Sequence, residues 1–345
     1  MPPATRRPAH PHPSRFRPSL AQGTEPDPLL QNSERIDPGA GKTYNLSRSL
    51  ESTTLDIETA RRGGIAMENL GQVKEVRLAQ GVIRYRESGS GKPLVFVHGL
   101  LANGLLWRKV VPLLDKDFRC IVPDWPLGSQ PWPMNRGADF TPPGLAKLMA
   151  DFLEALGLKD VVLVGNDTGT ALSQILAARH PERIGKLVLT NGDAYDNFLP
   201  WMFKYLQAGA RMPGFVFLVS LAMRVRVLRR MPFAFGWLSR VPPDKEVSDA
   251  YMEPFARSSE VRGELRKLLS GISSRHTQEA AKRFSAFLKP VLIAWGLDDP
   301  FFPLSYAKRL ERDFPHARLE TIPDSKAFVP EDQPEKLAGL IREFA

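Results

Sequence analysis

A single cysteine in 345 residues excludes an internal disulfide, and Cys120, set in an apolar run, reads as a small buried hydrophobe. No apolar run approaches the roughly 20 residues needed to cross a bilayer. The longest, Phe215 to Met223, is about half that length and ends at Arg224. The opening residues, Met1-Pro2-Pro3-Ala4-Thr5-Arg6-Arg7-Pro8, lack the apolar centre of a secretory signal, so the expected compartment is the cytoplasm. There is no His/Cys cluster of metal-binding spacing. Gly41-Lys42-Thr43 echoes the end of a phosphate-binding loop but has neither a preceding strand nor the upstream glycine. Neither metal nor cofactor is expected. Acidic residues are outnumbered, 38 against 47 Lys and Arg, for a net charge of +9. The excess is spread along the chain apart from Arg224, Arg226, Arg229 and Arg230, and no nucleic-acid motif accompanies it. The reading is a solvated basic surface with no nucleic-acid partner.

What is present begins late in the chain. Residues 1–66 are rich in Pro, Ser, Arg and Gly and lack periodic apolar positions, so they are expected to form a disordered extension, with Met67 a second candidate start. From Gln72 the pattern is regular. Val73–Leu78 and Gly81–Glu87 alternate as an antiparallel hairpin, and Leu94–Val97 and Phe118–Val122 read as buried strands. Trp107–Leu114 and Pro142–Leu156 read as helices, the second with Leu145, Leu148, Met149, Phe152 and Leu153 as its buried stripe. A strand at Lys186–Asn191 follows. The βα rhythm breaks from Asp196 to Phe287 and returns with the strand Pro290–Gly296, a helix over Leu304–Asp313, the strand Ala317–Ile322 and a last helix over Gln333–Phe344.

The chain is organised around Val161-Val162-Leu163-Val164-Gly165-Asn166-Asp167-Thr168-Gly169-Thr170. Four aliphatic residues make a strand buried on both faces, and a helical pattern starts at Thr170. A turn this tight leaves no room for side chains at Gly165 and Gly169, and pushes Asp167 outward at the strand's carboxyl end. That is the geometry of a nucleophile elbow with Asp in place of the commoner Ser.

Strand, His98-Gly99 turn, helix, strand, Asp124-Trp125-Pro126-Leu127-Gly128 turn, helix and elbow strand: from about Val73 to Ala345 this order resembles the α/β-hydrolase fold. The resemblance implies a mostly parallel sheet flanked by helices, with a helical cap inserted after the sixth strand. It divides the chain into a core of residues 67–195 and 288–345 and a cap of 196–287. The Asp nucleophile is similar to that of haloalkane dehalogenases and epoxide hydrolases, in which a carboxylate attacks an sp³ carbon and water cleaves the resulting ester.

Carried over position by position, the resemblance implies Asp167 as nucleophile and the backbone N–H groups of Leu100 and Thr168 as the oxyanion site. The partner acid falls on Asp299 in Gly296-Leu297-Asp298-Asp299, with Asp298 one register away and Asp193, beyond the sixth strand, as the alternative. The family's histidine stands seven residues before Pro334, and here that residue is Ala327. His276, near a helix start in the cap, is the remaining candidate base, with Lys326 behind it. Thr168 stands where dehalogenases carry Trp, and Leu100 where many carry a halide-binding Asn, with Asn103 and His98 nearby as candidate substrate-binding groups. Tyr205 and Tyr251 lie in the cap, where epoxide hydrolases place two tyrosines over the nucleophile. The cap aromatics Trp201, Phe203, Phe215, Phe217, Phe233, Phe235 and Trp237 favour an apolar pocket. The expected activity is hydrolysis of a small apolar epoxide, alkyl halide or ester. The alternative is a non-catalytic protein of this fold that binds a small hydrophobic ligand. The oligomeric state is not fixed by the sequence.

Overall fold

The computed structural model describes residues 70–345. The expected extension, 1–66, together with Met67 and Gly41-Lys42-Thr43, lies outside the described residues. Eight strands form one sheet in the order β1-β2-β4-β3-β5-β6-β7-β8. β1 (Gln72–Leu78) and β2 (Gly81–Ser88) form the antiparallel hairpin, and β2 also pairs antiparallel with β4 (Phe118–Pro123). All the other pairings are parallel, through β3 (Lys92–Val97), β5 (Val161–Asp167), β6 (Ile184–Gly192), β7 (Val291–Gly296) and β8 (Ala317–Ile322).

Burial explains why the central strands read as continuous apolar runs. Every residue of β5 and β7 is buried, as crossover helices on both faces of a parallel sheet require. Helix Pro142–Ala155 supplies one such cover. Thr141 starts it by accepting from the Gly144 N–H at 3.2 Å, and Leu145, Leu148, Met149, Phe152 and Leu153 are its buried stripe. Two boundaries differ from the sequence reading for physical reasons. The expected helix Trp107–Leu114 is a 3₁₀ turn, Gly104–Trp107, and a separate short helix, Val111–Leu114, with Pro112 in its first turn. The helix after the elbow begins at Thr168, directly behind Asp167, because the elbow leaves no linker between strand and helix.

Between β6 and β7 the described chain forms helices and no named strand. Helices Lys204–Gly209, Phe215–Ala222, Arg226–Arg229, Lys245–Arg257 and Ser259–Gly271 make up most of this cap. It is tied to the core at several points. The Phe328 N–H donates to the Leu238 carbonyl at 2.6 Å, the Ser129 hydroxyl to the Tyr251 carbonyl at 2.6 Å, and Gln130 Nε2 to Glu264 at 2.8 Å. Among the described residues no helix is long and apolar enough to cross a membrane.

Because β3 and β5 to β8 run parallel, their carboxyl ends share one edge of the sheet. Leu100 follows β3, Asp167 ends β5, Asp193 follows β6, Asp299 follows β7 and Ala327 follows β8. That edge is where ligands bind in open parallel sheets.

Candidate active site

Asp167 is the only non-glycine residue of the elbow turn with positive φ, at φ 56° and ψ −127°. An L-residue held there costs roughly 1–3 kcal/mol, a strain that packing on both sides must over-determine. A Cβ on Gly169 would lie 2.3 Å from the Val97 carbonyl oxygen, so only glycine lets the elbow helix start against β3. A Cβ on Gly99 would lie 2.0 Å from Asp167 Oδ2. The His-Gly turn is therefore shaped around the carboxylate.

The backbone N–H groups of Leu100 and Thr168 lie close enough to that carboxylate to favour its ionised form. The two turns that frame it, after β3 and after β5, thus both bear on one carboxylate. Asp167 nevertheless sits in apolar surroundings, and its carboxyl is pushed up to about 7. Burial is the first cause; the two N–H groups pull the other way, and the Asp299 carboxylate adds to the rise.

Above it lies a cavity of about 60 Å³. Asp167, Thr168, Leu100 and Leu101 form its core side, and Leu199, Phe203, Leu206, Val219, Met223 and Phe235 are among the residues that close it from the cap. Apart from the carboxylate and the Thr168 and Tyr205 hydroxyls the lining carries no polar side chain. The site can hold a small apolar molecule with one carbon against a carboxylate, and it offers no second charged group to that molecule.

Two further carboxylates stand behind Asp167. Asp299 accepts from the Phe301 and Phe302 N–H groups at 2.8 and 3.3 Å, and from Asn191 Nδ2 at 2.8 Å. Burial pushes it up to about 7 against those hydrogen bonds. Asp298 faces solvent and pairs with Arg240 at 2.5 Å, which removes it as the register alternative. Asp193 is fully buried; its Oδ2 accepts from the Thr168 hydroxyl at 3.3 Å while its Oδ1 has no partner. Burial, then the nearby Asp167, raise it well above the usual carboxylate range. Asp193 is chained to the nucleophile candidate through Thr168 and through its own N–H, 3.4 Å from the Asp167 carbonyl oxygen. Both acids thus occupy the site's edge.

Two asparagines organise this edge, and sequence reasoning did not single them out. Asn166 Nδ2 donates to the Thr190 hydroxyl and to the Ala327 carbonyl, each at 2.7 Å. The residue before Asp167 thereby fixes the loop that holds position 327. Asn191 takes the Gly296 N–H at 2.5 Å and returns Nδ2 to the Gly296 carbonyl and to Asp299. Polar side chains at the ends of two buried apolar strands were the signal that could have found them.

Three expected groups are not brought to the cavity. His98 is fully buried with both ring nitrogens committed: Nδ1 to the Gly99 carbonyl at 2.9 Å, and Nε2 accepting from the Trp125 N–H at 2.8 Å. Burial lowers it to about 4, so it is a neutral brace between two turns. Asn103 caps the 3₁₀ turn through the Leu105 N–H at 3.1 Å and gives Nδ2 to Ser129 and Ala250, each at 3.3 Å. His276 lines a different, open cavity with Asp196, Lys204 and Arg211, because its helix, Ser274–Ala281, packs along the elbow helix away from Asp167. The two cap tyrosines also separate. Tyr205 lines the cavity and donates to the Phe233 carbonyl at 2.9 Å, whereas Tyr251 is buried outside it. Ala327 is fully buried and carries no proton-accepting side chain. Among the described residues no group of three His, Cys, Asp or Glu side chains has the arrangement of a metal site.

The comparisons with known proteins agree with the fold. Residues 92–334 match the family model for the alpha/beta hydrolase fold. The chain belongs to the α/β-hydrolase superfamily. Among similar proteins, a cis-3-alkyl-4-alkyloxetan-2-one decarboxylase of Shewanella oneidensis is 28% identical over 279 residues, covering 76% of this chain and 84% of the relative. Haloalkane dehalogenase 2 of Mycobacterium tuberculosis is 27% identical over 274 residues, covering 77% and 92%. The solved structure of the epoxide hydrolase CorEH superposes with a TM-score of 0.67 at 19% identity, over 79% of this chain and 98% of that one. Its relatives include hydrolases of this superfamily.

Proposed function

We propose that Asp167 is a carboxylate nucleophile toward a small apolar alkyl substrate, of the alkyl halide, epoxide or strained-ester type, and that it forms an alkyl ester on the enzyme. The observation that carries the reading is the buried Asp167 carboxylate, held at positive φ on the floor of an apolar cavity, with the Leu100 and Thr168 N–H groups favouring its charge. Oδ attacks the sp³ carbon and the bond to the leaving atom breaks with its electron pair on that atom: a halide departs, whereas the oxygen of an opened epoxide or strained ester stays tethered to the alkyl group, as an alkoxide that takes a proton from water or as a carboxylate. The other carboxylate oxygen becomes the ester carbonyl and stays with the two N–H donors, which stabilise the oxyanion when water adds to the carbonyl carbon. Asp299 fits the partner acid, with Asp193 the alternative. The dehalogenase and the epoxide hydrolase among the similar proteins favour this substrate class.

Release of the ester needs a base for the attacking water. The family position for it is Ala327, and neither His276 nor His98 substitutes. The reading is therefore a fast first half-reaction and a slow second one. Only the ionised carboxyl attacks. With Asp167 pushed up to about 7, labelling should be roughly tenfold slower at pH 6 than on its plateau above pH 8. Incubation with a panel of alkyl halides and epoxides, read by intact mass and peptide mapping, tests this. The expected result is one added alkyl group on Asp167 with that pH dependence. A panel that never labels Asp167 leaves the protein as a binder of small hydrophobic ligands.

A further inference from the structure

The cap helix over the cavity is apolar on both faces. Helix Phe215–Ala222 turns Val216 and Val219 inward, Val219 lining the Asp167 cavity together with Met223 just beyond the helix. Its opposite face carries Phe217, Leu218 and Leu221, and the chain beyond adds Val225 and Val227, all exposed; Leu218 is 62% and Val227 69% accessible. A helix that is hydrophobic all round belongs in a buried place, and an exposed apolar cluster of this kind marks an interaction surface.

The charge within this stretch of chain has one sign. From Trp201 to Pro243 the chain holds seven Lys and Arg and no Asp or Glu. Arg211, Arg224 and Arg230 are exposed and, among the described residues, have no carboxylate partner. Arg226 and Arg229 pair with Asp249, and Arg240, at the far end of the stretch, pairs with Asp298 and Asp324. The Arg262 guanidinium lies over the Phe217 ring, 5.5 Å from its centroid, and adds a cation at the edge of the patch.

We propose that this face docks on an anionic lipid bilayer, with Phe217, Leu218 and Leu221 entering the acyl boundary and Arg224 and Arg230 meeting the headgroups. An apolar stripe flanked by unpaired arginines is the combination that an anionic bilayer interface accepts. A second copy of the chain fits less well, since a two-fold contact would oppose arginines to arginines with no acidic residue in the stretch to relieve them. Docking sets the cavity about one helix diameter, ~10 Å, below the lipid surface. The proposal does not depend on the chemistry at Asp167.

Co-sedimentation of the full chain with phosphatidylcholine vesicles, with and without phosphatidylglycerol, tests it. The chain should bind the mixed vesicles. Arg224→Gln with Arg230→Gln should weaken that binding roughly 30-fold, and Leu218→Ser with Leu221→Ser by at least as much. All four positions are exposed, and circular dichroism of each variant checks that it folds. Absence of binding to the mixed vesicles overturns the proposal. Binding that neither pair of substitutions weakens also overturns it, since the contact then lies elsewhere in the chain. So does a lipid-free dimer, seen by sedimentation velocity, that Leu218→Ser dissolves.

Discussion

Ala327→His should convert single turnover into repeated turnover. Position 327 lies after β8 on the same sheet edge as Asp167, and its backbone carbonyl is held by Asn166, the residue that precedes the nucleophile. Asp299 stands after the neighbouring strand β7, fixed by Asn191 and two backbone N–H groups, and is the acid expected to orient an imidazole introduced at position 327. A positioned base contributes roughly 10²–10⁴-fold to proton removal, and the steady-state rate of the variant should exceed that of the natural protein by that order. Pre-steady-state labelling should change little, because alkylation does not use the base. Stopped-flow or quench measurements separate the two phases. A rise in the labelling rate with no rise in turnover would mean that the new ring acts on the cavity rather than on water.

The second large effect is on stability. The Asp167 carboxyl is raised from its ordinary 3.8 to about 7, so the folded state binds its proton more tightly than the unfolded state does. The sign follows from linkage: its contribution to stability is fully present below the unfolded value and is lost as pH rises through the folded value. Ionising it in the fold costs on the order of 4 kcal/mol, part of which the two N–H donors already offset within that shift. Asp167→Asn removes the charge but keeps an oxygen for those donors. At pH 8.5 the variant should be more stable by about 2–4 kcal/mol, with a melting temperature several degrees higher, and the gain should shrink steadily toward pH 5. Thermal unfolding across that range is the check. A pH-independent difference would mean that the carboxyl is not held in its present surroundings as an ionisable group.

Such a cost at a single side chain is the signature of a site where function overrides local preference. The same conflict governs what could be read from the sequence. The elbow was legible because its requirements are local: an aliphatic strand, then glycines where Cβ atoms would strike neighbouring backbone. β7 and β8 were legible because full burial writes itself as Val291-Leu292-Ile293-Ala294 and alternation as Ala317-Arg318-Leu319. The roles of His98 and Asn103 were not, because the groups that claim them, Trp125, Ser129 and Ala250, are brought close only by the fold. His276 failed for a related reason, since its position near a helix start says nothing about which side of the elbow helix that helix packs on. The cap was the least legible part. Phe215–Ala222 has no polar stripe, so periodicity could not separate the side over the cavity from the side facing outward.

The lifetime of the Asp167 adduct is the most direct measure of the missing-base account. The natural protein is alkylated to completion at pH 8, freed of excess substrate, and followed by intact mass. The account predicts that the added alkyl mass stays on the Asp167 peptide while the Ala327→His variant, treated alike, loses it and releases alcohol. Rapid loss of the adduct from the natural protein, with many turnovers when substrate is returned, would contradict it and require a base other than a residue at position 327.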